Sequence, residues 1–448
     1  MPRIIRVTLL SARDVALIAG PFVLLALLLL AGAYYVLKPN PPRRVVFATG
    51  PEAGAYARFG ARYAEELKAH GIQVVLKPTE GSRENLRLLH DAKQDVDFAF
   101  VQGGAGESDR AREEEASGLP LVSLGTVFYE PVWLFYRVES AKALNRQGSL
   151  ENLAQLQGWR VNVGARGSGI PGVMNRLLGA NLLDRDHIRR SNLEPTPAVV
   201  ALLGGELDAA ALITAPETQL VQMLLQTPGI RLYEFRQAEA YARRYKFLTP
   251  VTLPRGVADL SRNIPAKDLE LVATTTSLVA REDTHPALLQ LFVQAAGRIH
   301  SGAGWIARAG QFPSPQGTEL PLAREAERYF RNGPPLLQRY LPFWLANLID
   351  RMWVALISII AILIPVSRVI PPLYAFRVRS RIFRWYRQLR QIEDGVGRNA
   401  AARAELLEKL AELDAKAERV VVPLAYTDEL YDLRSHIALV RERLQQAK

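Results

Sequence analysis

Val45-Val46-Phe47-Ala48-Thr49-Gly50 leads into Tyr56, Phe59, Tyr63 and Leu67 at helical spacing, and then into Gln73-Val74-Val75-Leu76-Lys77. The reading of this passage decides the fold. Its first run is short, apolar and closed by glycine, which predicts a buried strand. Ala53 to His70 carries its apolar residues on one face, which predicts a helix. Gln73 to Lys77 predicts a second strand. A helical crossover between neighbouring strands argues for parallel pairing, since antiparallel neighbours can be joined by a tight turn.

The alternation continues downstream. Ser82 to Asp91 predicts a helix and Phe98 to Gln102 a third strand. Further on, Arg160 to Gly164 predicts a strand, Ile170 to Leu183 a helix, Pro197 to Leu203 a helix, and Ala209 to Thr214 a strand. Pro216 stands where proline favours the first turn of a following helix. Two α/β lobes account for this order, with Leu121–Tyr136 and Leu271–Ala280 as the crossings between them.

Charge separates this core from its flanks. The 448 residues carry a formal charge of +11, which by itself suggests a nucleic-acid binder. By segment the charge is +5 for residues 1–44, +1 for 45–342 and +5 for 343–448. The excess therefore lies at the ends, beside the longest apolar runs, and nucleic acid is excluded as the expected partner. Cysteine is absent, which removes disulfides, thiolate nucleophiles and cysteine-held metal or iron–sulfur centres.

Val15 to Leu37 holds 23 residues without a charge, enough to span a hydrocarbon layer about 30 Å thick. It is too long for a signal peptide, and Tyr34-Tyr35 replaces a small-residue cleavage site. A second run, Met352 to Val366, extends through Val369 and Ile370. Arg368, Arg377, Arg379, Arg381, Arg384, Arg387 and Arg390 follow it before the next acid, Glu393. Arg3, Arg6 and Arg13 flank the first run. Basic residues mark the cytoplasmic side of a span.

The expected organisation is a basic cytoplasmic terminus (1–14), a transmembrane helix (15–37), an extracytoplasmic two-lobed domain (45–342), a second transmembrane helix (350–373) and a cytoplasmic helical tail (378–448). That places the chain in a bacterial inner membrane, with its domain in the periplasm and both termini cytoplasmic. In the tail, Leu406, Leu407, Leu410 and Leu413 among mixed charges have coiled-coil character, and Leu430, Leu433, Ile437, Val440 and Leu444 stripe a last helix. Gly395-Val396-Gly397 and Pro423 separate the tail helices. Such a tail suits oligomerisation or a cytoplasmic partner.

The loops after the strands are candidate ligand contacts. They are Thr49-Gly50 with Ala53-Gly54-Ala55-Tyr56, Thr79-Glu80-Gly81-Ser82, Gln102-Gly103-Gly104, Arg166-Gly167-Ser168-Gly169 and Thr214-Ala215. Glycine, serine and threonine there offer N–H and hydroxyl groups to a small anion. Glu130, a lone acid in an apolar stretch, reads either as a structural partner or as a cleft-facing group. Gly167-Ser168-Gly169-Ile170-Pro171-Gly172 matches GxGxxG without further nucleotide signatures, and Arg166 stands where a serine elbow needs glycine. The six histidines lack ligand spacing, so neither metal nor cofactor is expected.

Four motifs carry a family resemblance. Val46-Phe47-Ala48-Thr49-Gly50 with Gly54-Ala55-Tyr56, Pro78-Thr79-Glu80-Gly81-Ser82-Arg83-Glu84-Asn85-Leu86, Asp97-Phe98-Ala99-Phe100-Val101-Gln102 and Val163-Gly164-Ala165-Arg166-Gly167-Ser168-Gly169 together resemble the TAXI-type solute-binding proteins, extracytoplasmic receptors of TRAP transporters. The resemblance covers roughly residues 44–300. It implies a two-lobed α/β fold of the periplasmic-binding-protein type II class, closing by hinge motion on a small anionic solute such as a carboxylate or amino acid. It also implies a TRAP membrane subunit as partner.

By this resemblance the expected contacts are Thr49, Gly50, Tyr56, Ser82, Asn85, Gln102, Glu130, Arg166, Gly167, Ser168, Gly169 and Thr214, with Arg166 as the partner of a carboxylate. Ala53, Glu80, Arg166 and Ile170 depart from the motifs at the site loops. The chain resembles a membrane-anchored branch, and no enzymatic activity is expected. Porphobilinogen deaminase is similar in fold but holds its cofactor through a cysteine, which this chain lacks. The alternative role on the same architecture is a sensor or assembly protein that signals through the C-terminal helices.

Overall fold

The computed structural model describes residues 3–37, 40–52, 54–106, 118–183, 187–395, 400–418 and 427–446. They form two units: residues 40–347, and residues 1–39 together with 348–448.

The first helix, α1 (Arg3–Leu37), belongs to the smaller unit. The larger unit begins with β1 (Arg44–Ala48), α2 (Ala55–Lys68), β2 (Gln73–Lys77), α3 (Ser82–His90) and β3 (Phe98–Gln102). β4 (Leu121–Arg137) and α4 (Val138–Lys142) follow. Then come β5 (Arg160–Asn162), α5 (Ile170–Ala180), β6 (Arg189–Ser191), α6 (Pro195–Gly204), β7 (Ala209–Ile213), α7 (Gln219–Gln226), β8 (Ile230–Leu232), α8 (Ala238–Arg244) and β9 (Thr249–Leu253). The unit closes with β10 (Leu269–Arg281), α9 (Pro286–His300) and α10 (Arg324–Asn332).

These strands form one sheet in the order β2-β1-β3-β10-β4-β7-β5-β6, with β8 beside β4 and β9 beside β10. Parallel pairing holds within each half, β1 with β2 and β3, and β5 with β6 and β7. The two long strands depart from the all-parallel expectation. β10 runs antiparallel to β3, β4 and β9, and β4 antiparallel to β7 and β8. The physical reason is their length: each serves both halves, entering one as it leaves the other, so it cannot run parallel throughout. The result is a mixed-sheet, two-lobed α/β fold of the periplasmic-binding-protein type.

Packing follows the same division. In the first lobe, Phe47, Tyr63, Phe100 and Phe292 form an aromatic cluster, with Phe98 stacked on Phe292 at 3.6 Å between ring centres. In the second, Trp133, Phe135, Leu177, Leu202 and Phe235 are fully buried. β4 contributes Val122 to Phe128 to the first core and Val132 to Tyr136 to the second. β10 contributes Leu278 and Ala280 to the first and Leu271 to Ala273 to the second. The crossover between cores therefore falls at residues 129–131 and 274–277.

Pro216 lies in a turn, and the helix after β7 opens three residues later at Gln219, with Thr218 as N-cap. Gly205 in left-handed backbone ends α6.

The smaller unit continues through α11 (Phe343–Ser367), which starts within the larger one, and α12 (Ile370–Glu393), α13 (Ala400–Glu418) and α14 (Thr427–Gln446). Among the described residues, two stretches are long and apolar enough to cross a membrane, Ala19–Leu37 and Leu345–Val366. Val23, Leu28, Ile357 and Ile364 within them are more than half exposed, unlike the side chains of a core helix. Pro371-Pro372 open a new helix, so the second apolar helix ends at Ser367. α12, α13 and α14 pack through Leu389, Ile392, Leu410, Leu413, Leu433, Ile437 and Val440. Gly395 follows α12 in a turn; Val396, Gly397 and Pro423 lie outside the described residues.

Candidate functional site

The crossover between the two cores carries a buried polar network. Glu130 on β4 lies between Tyr56 in the first turn of α2 and Thr276 on β10. The Tyr56 hydroxyl donates to Glu130 Oε2 at 2.7 Å, and the Thr276 hydroxyl donates to the same oxygen at 2.5 Å. Ser82, first residue of α3, places Oγ 3.1 Å from the Tyr56 oxygen and accepts the Gln102 N–H at 2.9 Å. Burial pushes the Glu130 carboxyl up to about 7 against the two donated hydrogen bonds. Burial also raises the Tyr56 phenol well above its ordinary value, with the nearby Glu130 charge adding to it.

A second set of contacts closes the lips of the two lobes. Glu80 Oε2 accepts the Gly167 N–H at 2.9 Å, and Gly167 oxygen accepts the Glu84 N–H at 3.1 Å. Gly81 has φ +131°, and a Cβ there would come within 3.2 Å of Ser168 Cα. A Cβ on Gly167 would fall 2.4 Å from Glu80 Oε2, so glycine at both positions lets the loops touch. On the rim, Arg58 reaches Glu217 oxygen at 3.4 Å, while Glu217 Oε1 accepts the Trp305 N–H at 2.7 Å.

Glu80 and Glu84 line a chamber on either side of this lip contact. One, of about 890 Å³, is walled by Arg83, Arg87, Gln102, Arg166, Lys246 and Phe247. The other, of about 590 Å³, is walled by Pro51, Thr79, Ile170, Glu194, Thr214 and Thr218. Two polar atoms at these walls are buried and lack a hydrogen-bond partner among the described residues: Gln102 Nε2 and Thr218 Oγ1. Gln102 is 3% exposed and its Oε1 lies against Gly169. Buried donors without partners cost free energy unless something else satisfies them.

Tyr56, Ser82, Gln102 and Glu130 are thus brought together at the crossover, while Thr214, Arg166 and Gly167 line the chambers. Arg166 is exposed. Other expected contacts have local work. Asn85 is fully buried and donates to Thr49 oxygen at 2.6 Å and Phe100 oxygen at 2.8 Å while accepting from Thr79 Oγ1 at 2.7 Å. Thr49 Oγ1 leans on Lys77 oxygen at 3.4 Å, and Gly50 packs on the Tyr56 ring. Ser168 Oγ donates to Ala165 oxygen at 2.7 Å, and Gly169 caps α5. Ala53 lies outside the described residues.

Sequence reasoning missed Thr276, hidden in a threonine run that reads as plain strand, and Lys246, which no motif marks; Arg83 stood inside a quoted motif but was not named as a contact. The same reasoning placed Glu80 in a candidate contact loop and named it as a departure from the motif, without giving it a contact of its own. Among the described residues no cluster of three or more His, Asp or Glu could hold a metal.

Among solved structures, a protein from Bordetella bronchiseptica RB50 is 16% identical with a TM-score of 0.41, covering 62% of this chain and 79% of that one. The periplasmic aliphatic sulphonate binding protein SsuA from Escherichia coli is 15% identical, TM-score 0.35, covering 71% and 83%. MatC from Rhodopseudomonas palustris with bound malate is 13% identical, TM-score 0.39, covering 71% and 99%. The model of the NMT1-like family matches residues 47–332, from the fourth residue of β1 through the end of α10. By that match, which takes in both lobes and both crossing strands, the chain belongs to the NMT1-like family.

Proposed function

We propose that the chain is a membrane-anchored receptor that binds a small organic solute with an anionic group between the lobes of residues 40–347. The observation that carries this reading is the cleft itself, which holds buried donors at Gln102 and Thr218 that lack partners among the described residues. Among the described residues, only two sheet strands pass through both cores, which suits hinge closure. Arg83 and Arg166 supply positive charge beside it. The exposed apolar helices Ala19–Leu37 and Leu345–Val366 support anchoring, and the basic residues beside them support cytoplasmic termini and a periplasmic cleft. Delivery to a TRAP-type membrane subunit is the finer form of this role, and the TAXI-type resemblance of the site loops supports it.

A second reading keeps the same site and makes the output a signal. The packed helices α12 to α14 favour it, because a receptor that only delivers solute needs no folded tail. The test is a thermal-shift screen of organic acids and amino acids on the full chain in detergent, with uptake measured in cells that carry a deletion of 378–448. A delivery receptor binds a solute and keeps uptake without the tail. A signalling protein binds and loses its output. The absence of any ligand from the screen contradicts both.

A further inference from the structure

The chain's own carboxylate already occupies the loop that the proposed solute would use. Glu80 reaches across from the first lobe and accepts the Gly167 N–H at 2.9 Å, at the approach to α5. The seat is shaped to its oxygen, since a Cβ on Gly167 would overlap Glu80 Oε2. The contact is reinforced in the opposite direction by the Glu84 N–H on Gly167 oxygen. Glu84 also fixes the Glu80 backbone, its Oε2 accepting the Glu80 N–H at 2.7 Å. A second observation points to a ligand at the same place. Gln102, 3% exposed, sets its Oε1 against Gly169 two residues along the loop and leaves Nε2 unpartnered among the described residues.

We propose that Glu80 is an internal stand-in for the solute's carboxylate and the residue that sets the specificity of this cleft. It holds the lobes together by taking the N–H of Gly167, and a solute carboxylate binds by displacing it. Arg83 and Arg166, on the wall that Glu80 also lines, receive the displaced or incoming negative charge. The class of ligand is a carboxylate, because the seat accepts one from a side chain. The inference rests on the reading of the cleft as a solute site.

The test exploits the absence of native cysteine. Cysteines placed at the exposed positions Lys93 and Gln226, one in each lobe, are labelled in the full chain in detergent, and the inter-lobe distance is followed by single-molecule energy transfer. Wild type is expected to hold the short distance whatever the buffer. Glu80→Ala is expected to shift the closed-to-open ratio by roughly tenfold, the size of one charge-assisted hydrogen bond. Added sodium propionate should then close it again, while sodium chloride and propionamide at equal concentration should not.

Gly167→Ala, which fills the seat, should open the lobes and ignore propionate. It keeps the test decisive if Glu80→Ala fails to fold by circular dichroism. A closed Glu80→Ala or a closed Gly167→Ala overturns the proposal. So does an opened Glu80→Ala on which propionate acts no better than chloride. Propionate closure without any hit in the solute screen would leave the stand-in standing and remove the receptor reading; a screen hit without propionate closure would do the reverse.

Discussion

Glu130 and His300 are two buried titratable groups whose pH effects run in opposite directions. Burial raises the Glu130 carboxyl from about 4.5 to about 7. Below 4.5 both folded and unfolded chains hold this proton; between 4.5 and 7 only the folded chain does, so stability falls as pH rises through that window. At pH 8 the cost is on the order of 3 kcal/mol. Glu130→Gln, whose amide oxygen can still accept from Tyr56 and Thr276, should recover much of it at pH 8 and little at pH 4, read by urea unfolding of the full chain at both values.

His300 does the reverse. Packed against Phe59 and Phe128, it is pushed down to about 3 by burial, with Arg62 adding to the shift. The unfolded chain takes a proton below about 6.5 and the folded one does not, so stability falls as pH drops from 6.5 towards 3. His300→Phe should flatten that acid limb in the same titration. Asn85→Ala, which strands Thr49 and Phe100 oxygens inside the first lobe, should cost about 2–4 kcal/mol at any pH. At this scale the sequence named Glu130 but left its role open, and it read Asn85 as a ligand contact. Spacing places an amide in the first turns of α3; it does not show that its donors also serve the Thr49 and Phe100 oxygens.

Elements were more legible than residues because their signals are periodic. β2 and β3 fall where the alternation of strand and helix puts them, and the crossing strands fall at the two segments expected to join the lobes. Their direction was not visible, since strand polarity in a mixed sheet depends on where distant segments return. Pro216 misled for a related reason: proline suits a first helical turn and an ordinary turn equally. The segment after α9 was also unreadable. It lies back on β4, with Ser314 bridged to Thr126 and Leu322 to Ser123. Gly125, at φ +107°, is the point where it docks; a Cβ there would meet Phe330 at 2.7 Å and Ser314 oxygen at 2.8 Å. Gly125→Ala should therefore destabilise by about 2 kcal/mol or more and loosen residues 314–330, which hydrogen exchange can localise.

At the scale of the molecule, the charge of +11 resolves into two basic flanks around an almost neutral binding unit. Chain-wide composition points to nucleic acid, and the segment totals with the exposed apolar helices point to a bilayer. Reporter fusions at residues 340 and 448 check that account: a periplasm-dependent reporter should be active at 340 and silent at 448. Composition cannot name the solute, because recognition depends on a few atoms converging from loops far apart in sequence. The most direct measurement is mass spectrometry of small molecules released from the full chain purified in detergent, beside Gly167→Ala, which fills the carboxylate seat. The account predicts a carboxylate-bearing solute near one per chain in wild type and none in the variant; equal recovery from both, or nothing from either after the acid and amino-acid screen, would contradict it.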